Sequence, residues 1–278
     1  MSGLPFLLRP FPEWEHRVRA AFTTRYLDGA DPGSGASAGA HSDLNLGFRC
    51  GDDPGKVSRN WAAVLDALGA AGKTLVIPRM VHGDALIDAD ALDDSAAKPQ
   101  GGAGPFGETA GLRRMEPGDA DALCSGSPRL ALAVTMADCL TALVFDPECG
   151  TIAAVHAGWR GTHAHILEKS LRALADAGRI RGESALIAFG PCLRPGSLEM
   201  GAEVAARLEP EFVVRRGGKC YFDMPGSNRA QALAAGILPA HIRDMGGCTL
   251  TEPERFFSYR RDGQASGRMA ACISLVGP

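Results

Sequence analysis

Apolar residues recur along this chain with two periods. Between residues 54 and 68, Val57, Trp61, Val64, Leu65 and Leu68 fall on one face of a 3.6-residue repeat. Asp52 and Asp53 stand just before it and can cap its first turn. A second helical stripe, Ile166, Leu167, Ser170, Leu171 and Leu174, lies within 163–177, with Thr162 as its expected cap and Gly178 at its end. Segments 198–208 and 227–235 are shorter helical candidates. Strand-like runs are more numerous: 18–24, 74–77, 130–136, 141–145, 151–156, 185–189, 220–223 and 269–276. Three of these crowd into 130–156, and runs so close together favour antiparallel or mixed pairing over regular β-α-β alternation. The pattern predicts a single α/β or α+β domain, residues 1–278, built around a mixed sheet.

Two glycine-rich stretches, 29–39 and 101–111, read as loops rather than linkers. The second lies in a long irregular region, 93–118, expected to be a lid or a mobile insertion. Residues 102–107 carry the letters of a dinucleotide fingerprint, but no strand precedes them and Pro105 interrupts them. Gly72-Lys73-Thr74 resembles the end of a phosphate-binding loop, but Ala67 stands where its first glycine belongs, and a strand follows where a helix should. Both are rejected.

The composition, 45% hydrophobic and 22% charged with a net charge of −3, is that of an ordinary globular protein, and no basic tract points to nucleic acid or a membrane surface. The apolar run at 4–8 is too short for a signal-peptide core, and no segment is long and apolar enough to span a bilayer, so a cytoplasmic location is expected. The eight cysteines are scattered with no C-x-x-C, which argues against a disulfide framework.

Three segments at strand ends concentrate the chemistry: Val81-His82-Gly83, Ala137-Asp138-Cys139-Leu140, and His156-Ala157-Gly158-Trp159-Arg160-Gly161. Two imidazoles and a thiolate suit zinc, and three protein ligands leave a fourth position for water or substrate. The alternative is two structural histidines and a buried thiol. In the third segment, glycines and Arg160 stand between a strand and an expected helix start, an arrangement that can receive an anion. The same turn without a ligand is also common.

Together these motifs resemble the YfiH/YlmD-type, laccase-domain (polyphenol oxidase) family. The resemblance spans about 22–275. It includes Asp43-Leu44-Asn45-Leu46-Gly47, Gly51-Asp52, Gly118-Asp119-Ala120-Asp121-Ala122, Gly190-Pro191, Tyr221-Phe222-Asp223, Cys248-Thr249, Phe256-Phe257-Ser258-Tyr259-Arg260-Arg261-Asp262 and Gly267-Arg268-Met269. It implies a single α/β sandwich with a mixed sheet, similar to the catalytic domain of cytotoxic necrotizing factor toxins. It also implies zinc on His82, Cys139 and His156. The activity implied is phosphorolysis of the purine nucleosides adenosine, inosine, guanosine and 5′-methylthioadenosine with phosphate, together with adenosine deamination. Asn45 and Asp138 are chosen for substrate contact or proton transfer, with turn-capping and backbone bracing as their alternatives. Arg160 is chosen for phosphate and Arg261 for anion binding. Three positions depart from the family pattern: Met80 for Gln, Trp61 for Arg and Thr141 for Pro. Two other functions stay open. Copper-dependent phenol oxidation would need more histidines around its cluster than this constellation offers, and a metal-free hydrolase or deamidase would use Cys139 as nucleophile and His156 as base.

Overall fold

The computed structural model describes residues 6–26, 35–92 and 112–277. The expected loop at 101–111, the rejected fingerprint at 102–107 and most of the lid candidate 93–118 lie outside these residues, as does much of 29–39.

Two six-stranded mixed sheets form where one was expected. The first runs β1 (Leu7–Leu8), β2 (Val18–Thr23), β15 (Met269–Leu275), β7 (Leu130–Met136), β3 (Thr74–Val76) and β5 (Arg114–Met115). The second runs β14 (Ile242–Asp244), β10 (Leu186–Phe189), β8 (Leu140–Asp146), β9 (Thr151–Ala157), β6 (Ala122–Ser125) and β4 (Leu86–Asp88). A small third sheet joins β11 (Glu199–Met200), β13 (Lys219–Phe222) and β12 (Val213–Arg216).

Side-chain alternation explains the layering. Leu132 and Val134 of β7, Leu143 and Phe145 of β8, and Ile152 and Ala154 of β9 share the core between the two sheets. Their neighbours point outward. Ala131 and Ala133 meet α1 (Pro54–Leu68), and small side chains there let the helix lie close. Ala142, Val144, Ala153 and Val155 join the core that includes α3 (Ile166–Asp176) and α5 (Met224–Ala234). The result is four layers, helix, sheet, sheet, helix, in which β7, β8 and β9 are buried on both faces. Strands covered on both sides read as continuous apolar runs, so their sequence does not say which sheet they join.

Helix ends follow local chemistry. Asp53 caps α1 by accepting from the Lys56 N–H at 2.8 Å, and Gly69 closes it in the left-handed conformation. The helix expected over 163–177 is two: α2 (Trp159–His163) begins at Gly158, and His165 at φ 59° breaks the chain before α3. Segment 198–208 is helical only at α4 (Ala202–Ala205), because Glu199 and Met200 pair with Tyr221 and Cys220. α5 starts three residues before its expected position, since Asp223 caps it through the Gly226 N–H at 2.9 Å.

Among the described residues no helix is long and apolar enough to cross a membrane. Phe145 is fully buried between the sheets, with its ring 5.8 Å from that of Trp14 and 6.4 Å from that of Phe11. Phe145→Ala is expected to cost about 3–5 kcal/mol in urea-induced unfolding. A loss under about 1 kcal/mol would contradict this view of the core.

Candidate metal centre and its pocket

The chain passes from the first sheet to the second three times at one end of the sandwich. β3 and β5 run parallel, as do β3 and β7, so their C-terminal ends coincide. The connections leaving them, 77–85, 116–121 and 137–139, enter β4, β6 and β8 of the second sheet. His82, Asp121 and Cys139 ride on these three crossings. β9 runs antiparallel to β8 and so ends here too, placing His156 opposite Thr141. Residues 57 and 74 positions apart in sequence are thereby brought to one point.

His82, Cys139 and His156 each aim one ligand atom at this point, all within 4.8 Å of one another. Cys139 Sγ lies 3.9 Å from His82 Nε2. Ligands on one tetrahedral zinc stand roughly 3.3–3.7 Å apart given ordinary Zn–S and Zn–N bonds, so a small contraction fits the group to a single ion. The donor set also admits copper.

Asp121, fully buried, organises the group. Its carboxylate accepts from the backbone N–H groups of Val81, His82 and Gly83 at 3.1, 3.0 and 2.8 Å. These bonds hold His82 at φ 60°. Asp121 Oδ1 also lies 2.8 Å from His156 Nδ1. An ionised carboxylate only accepts, so Nδ1 carries the proton and Nε2 is left as the ligand atom. Burial works against the charge of Asp121, but the bond and charge of His156 and the N–H groups of Gly83 and Val81 outweigh it and lower its pKa. The motif containing Asp121 was visible in the sequence, but no role was attached to it.

Gly158 explains one glycine of the third motif. A Cβ there would stand 2.9 Å from Cys139 Sγ and 3.0 Å from His82 Cδ2. The glycine admits the ligand side chains themselves, where the sequence suggested an outside ligand.

In the metal-free chain, burial pushes the Cys139 thiol up, but the charge and hydrogen bond of His156, with help from His82, bring it down to about 6. His156 is correspondingly raised to about 9, burial being outweighed by the Cys139 thiolate and Asp121. Both shifts favour a thiolate beside an imidazolium when no metal is bound.

All three candidate ligands line a cavity of about 580 Å³, a size suited to a small molecule. Six arginines (Arg49, Arg79, Arg114, Arg160, Arg260 and Arg268) share its wall with only two carboxylates, Glu116 and Asp138, so it favours anions. Trp159 and Tyr259 add aromatic faces, and Leu46, Ile77 and Met136 apolar ones. Sequence reasoning missed Arg49, Arg79, Arg114, Arg260 and Arg268 because they come from separate segments that only the fold brings together.

The other chosen residues divide. Arg160 lines the cavity with its guanidinium 4.4 Å from the Trp159 ring centroid. It lies inside the five-residue α2, so the helix start expected at Thr162 is displaced to Gly158. Asp138 also lines the cavity, but both its oxygens are engaged, Oδ1 by the Thr249 hydroxyl at 2.7 Å and Oδ2 by the Arg260 N–H at 2.6 Å. Asn45 is fully buried outside the lining; its amide donates to Asp52 and its oxygen accepts from the N–H groups of Gly47 and Arg268 at 3.0 and 2.9 Å. Arg261 is not brought to the cavity. Its guanidinium binds the carbonyls of Thr249 and Phe256 and the carboxylate of Asp262. Of the departures, Trp61 is buried and donates to the Leu46 carbonyl at 2.9 Å, Met80 places a thioether in the cavity wall, and Thr141 donates to Met136 Sδ at 2.9 Å.

A family profile described as "Multi-copper polyphenol oxidoreductase laccase" matches residues 19–276. The chain belongs to this family. It is 35% identical to a "Purine nucleoside phosphorylase" of Deinococcus radiodurans, over 98% of this chain and 94% of that protein. It is 31% identical to "Purine nucleoside phosphorylase YfiH" of Escherichia coli K12, over 95% and 98%. Among solved structures, YlmD of Geobacillus stearothermophilus superposes with a TM-score of 0.80 at 26% identity, over 100% of this chain and 98% of that one. The mixed α+β architecture of this chain is thus shared with that structure.

Two outcomes test the centre. Asp121→Asn is expected to weaken metal binding about 10–100-fold, and Gly158→Ala at least as much, in competition with a chromogenic chelator; unchanged affinity in both would remove the group as a metal site. In the metal-free chain Cys139 is expected to be the first of the eight thiols alkylated by iodoacetamide at pH 7.5, its rate rising as pH passes about 6. Cys124 and Cys272 are buried and pushed up to about 12, and burial pushes the Cys192 thiol up as well, so all three should be silent. Peptide mapping reads the order.

Proposed function

We propose that the chain is a purine nucleoside phosphorylase that holds one zinc ion through His82, Cys139 and His156. Its substrates are adenosine, inosine, guanosine or 5′-methylthioadenosine with inorganic phosphate, and it also deaminates adenosine. The observation that carries this reading is the three-ligand cluster set in the wall of an arginine-rich cavity. The names of the family relatives support an enzyme of this class.

In phosphorolysis a phosphate oxygen bonds to ribose C1′ as the C1′–N9 bond breaks. The electron pair passes to N9, which is protonated, and the products are free base and ribose 1-phosphate. In deamination water adds at purine C6 and ammonia leaves, giving inosine. Zinc, when bound, supplies a Lewis acid that polarises groups of the substrate or water. The chain's own residues do the rest. Arginines of the cavity wall, Arg160 among them, offset the phosphate charge. Trp159, Tyr259 and the apolar wall exclude water from the base. Asp138 and Asn45 act by positioning, since their polar atoms are committed to Thr249, Arg260, Gly47 and Arg268. Arg261 braces the 249–262 segment in place of binding the anion first assigned to it. One domain, a cytoplasmic location and no nucleic-acid or membrane partner complete the proposal.

Two observations favour other readings. The family description names copper, and a Cys-His-His set can bind it. Against a multicopper centre, this is the one cluster of three or more such ligands among the described residues. The thiolate–imidazolium pair would also suit a metal-free hydrolase or deamidase with Cys139 as nucleophile, a role the expected likeness to the necrotizing-factor toxins makes reasonable.

Elemental analysis of protein purified without added metal should find about one zinc per chain. Incubation with adenosine and phosphate should yield adenine, hypoxanthine, inosine and ribose 1-phosphate. His82→Ala should lower metal content to near zero and activity about 100-fold or more. Several coppers per chain, or a metal-free chain that forms none of these products, would overturn the proposal.

A further inference from the structure

We propose that Arg49 and Arg114 form the seat of a phosphate-type oxyanion in the cavity, and that Glu116 is its built-in placeholder. The choice of phosphate as occupant rests on the phosphorylase reading; the seat itself rests on the following geometry.

Arg49 Nη2 lies 2.5 Å from Glu116 Oε1, and Arg114 Nη1 lies 3.3 Å from Glu116 Oε2. All three side chains line the same cavity as the candidate metal ligands. Two guanidinium groups therefore converge on one carboxylate inside a pocket, each taking a different oxygen. No other two arginines of the described lining are joined through one carboxylate in this way. Arg114 is the more enclosed, its side chain 15% exposed and its guanidinium 4.4 Å from the Phe48 ring centroid. Burial works against its charge, Glu116 for it and Arg49 against it again. Two like charges that converge at a cavity wall favour an anion between them, and the Glu116 carboxylate stands at that position.

Carboxylate and phosphate both present oxygens that match the planar guanidinium fork. Phosphate offers the same two contacts, further acceptor oxygens and more charge. It can replace Glu116 without rebuilding the wall, because the backbone at both arginines is fixed from elsewhere. Arg114 is held in β5 by pairing with β3. Arg49 sits on the 45–52 turn that Asn45 ties to Gly47 and Asp52. Glu116 lies just beyond β5, so its side chain can turn outward while the backbone that carries both arginines stays in place. Arg268, whose backbone N–H the same Asn45 holds, adds positive charge to the lining.

The oxyanion could arrive as inorganic phosphate or as a phosphate ester on the nucleoside, and the test separates the two. Inorganic phosphate and adenosine 5′-monophosphate are titrated separately into the full-length, zinc-loaded chain by calorimetry, and KM is measured for phosphate and for adenosine. Arg49→Gln, on an exposed side chain, and Arg114→Gln should weaken phosphate about tenfold or more. Glu116→Gln should tighten it severalfold. KM for adenosine should hold in all three. Opposite signs for the arginine and glutamate variants are not expected of residues that only support the fold, and Arg49→Gln and Glu116→Gln keep the test valid if Arg114→Gln does not fold. If the variants shift the monophosphate and leave inorganic phosphate unchanged, the seat stands and its source is the ester. Arginine-dependent phosphate binding without phosphorolysis would sink the phosphorylase reading and keep the seat. Phosphorolysis in which neither ligand responds to Arg49→Gln or Glu116→Gln would overturn the seat and keep the phosphorylase.

Discussion

The site depends on one carboxylate. Asp121 accepts from three consecutive backbone N–H groups and from His156, and so ties the 81–83 turn to the end of β9. Without it, His82 would have no reason to hold a left-handed backbone conformation, which costs an ordinary residue about 1–3 kcal/mol. His156 would also lose the bond that fixes which ring nitrogen faces the other ligands. Four acceptor interactions on one buried carboxylate keep it ionised against the cost of burial. The negative charge that orients the imidazole is thus itself held by the backbone of the loop it orients.

That arrangement is available because of how the two sheets are connected. A chain confined to one sheet would turn back beside itself, and its connecting loops would be short hairpins. Here the connections leaving β3, β5 and β7 cross between layers at the same end, and each arrives with a side chain directed at the gap. Gly158 then lets those side chains meet, since any Cβ at that position would occupy the space of the Cys139 sulfur. Sheet topology sets the coarse position of the ligands, and one missing methyl group sets the fine one.

The sequence made some of this legible and hid the rest for identifiable reasons. α1 was readable with its cap because an amphipathic surface helix has one period and one solvent face. β7 and β9 were readable as strands, yet their sheet was not, because both faces of each are buried. The break at His165 was invisible: a non-glycine residue in the left-handed region leaves the apolar stripe of α3 intact on one side. The candidate ligands and Arg160 stood in compact motifs and could be picked out. Asn45 and Asp138 stood in such motifs too, but the type of a polar residue does not tell whether its oxygens face a ligand or the backbone, and here both brace backbone. Arg261 and Arg260 are neighbours in one motif; only the fold shows that the second lines the cavity while the first turns to the carbonyls of Thr249 and Phe256.

The departure at Trp61 carries the same point further. An arginine expected on α1 is replaced by an indole that is fully buried and bonded to the Leu46 carbonyl, so α1 contributes packing and no charge to the cavity. The cavity is nevertheless strongly cationic, because its arginines come from the 45–52 turn, from the connection after β3, from β5, from α2, from α6 (Tyr259–Asp262) and from the residue before β15. Electrostatic potential adds over sources and does not require that they be adjacent in sequence. A charge that a motif comparison counts as lost is therefore compensated by arginines drawn from several separate segments, and Trp61 aids that compensation by fixing Leu46 and thereby the turn that presents Arg49.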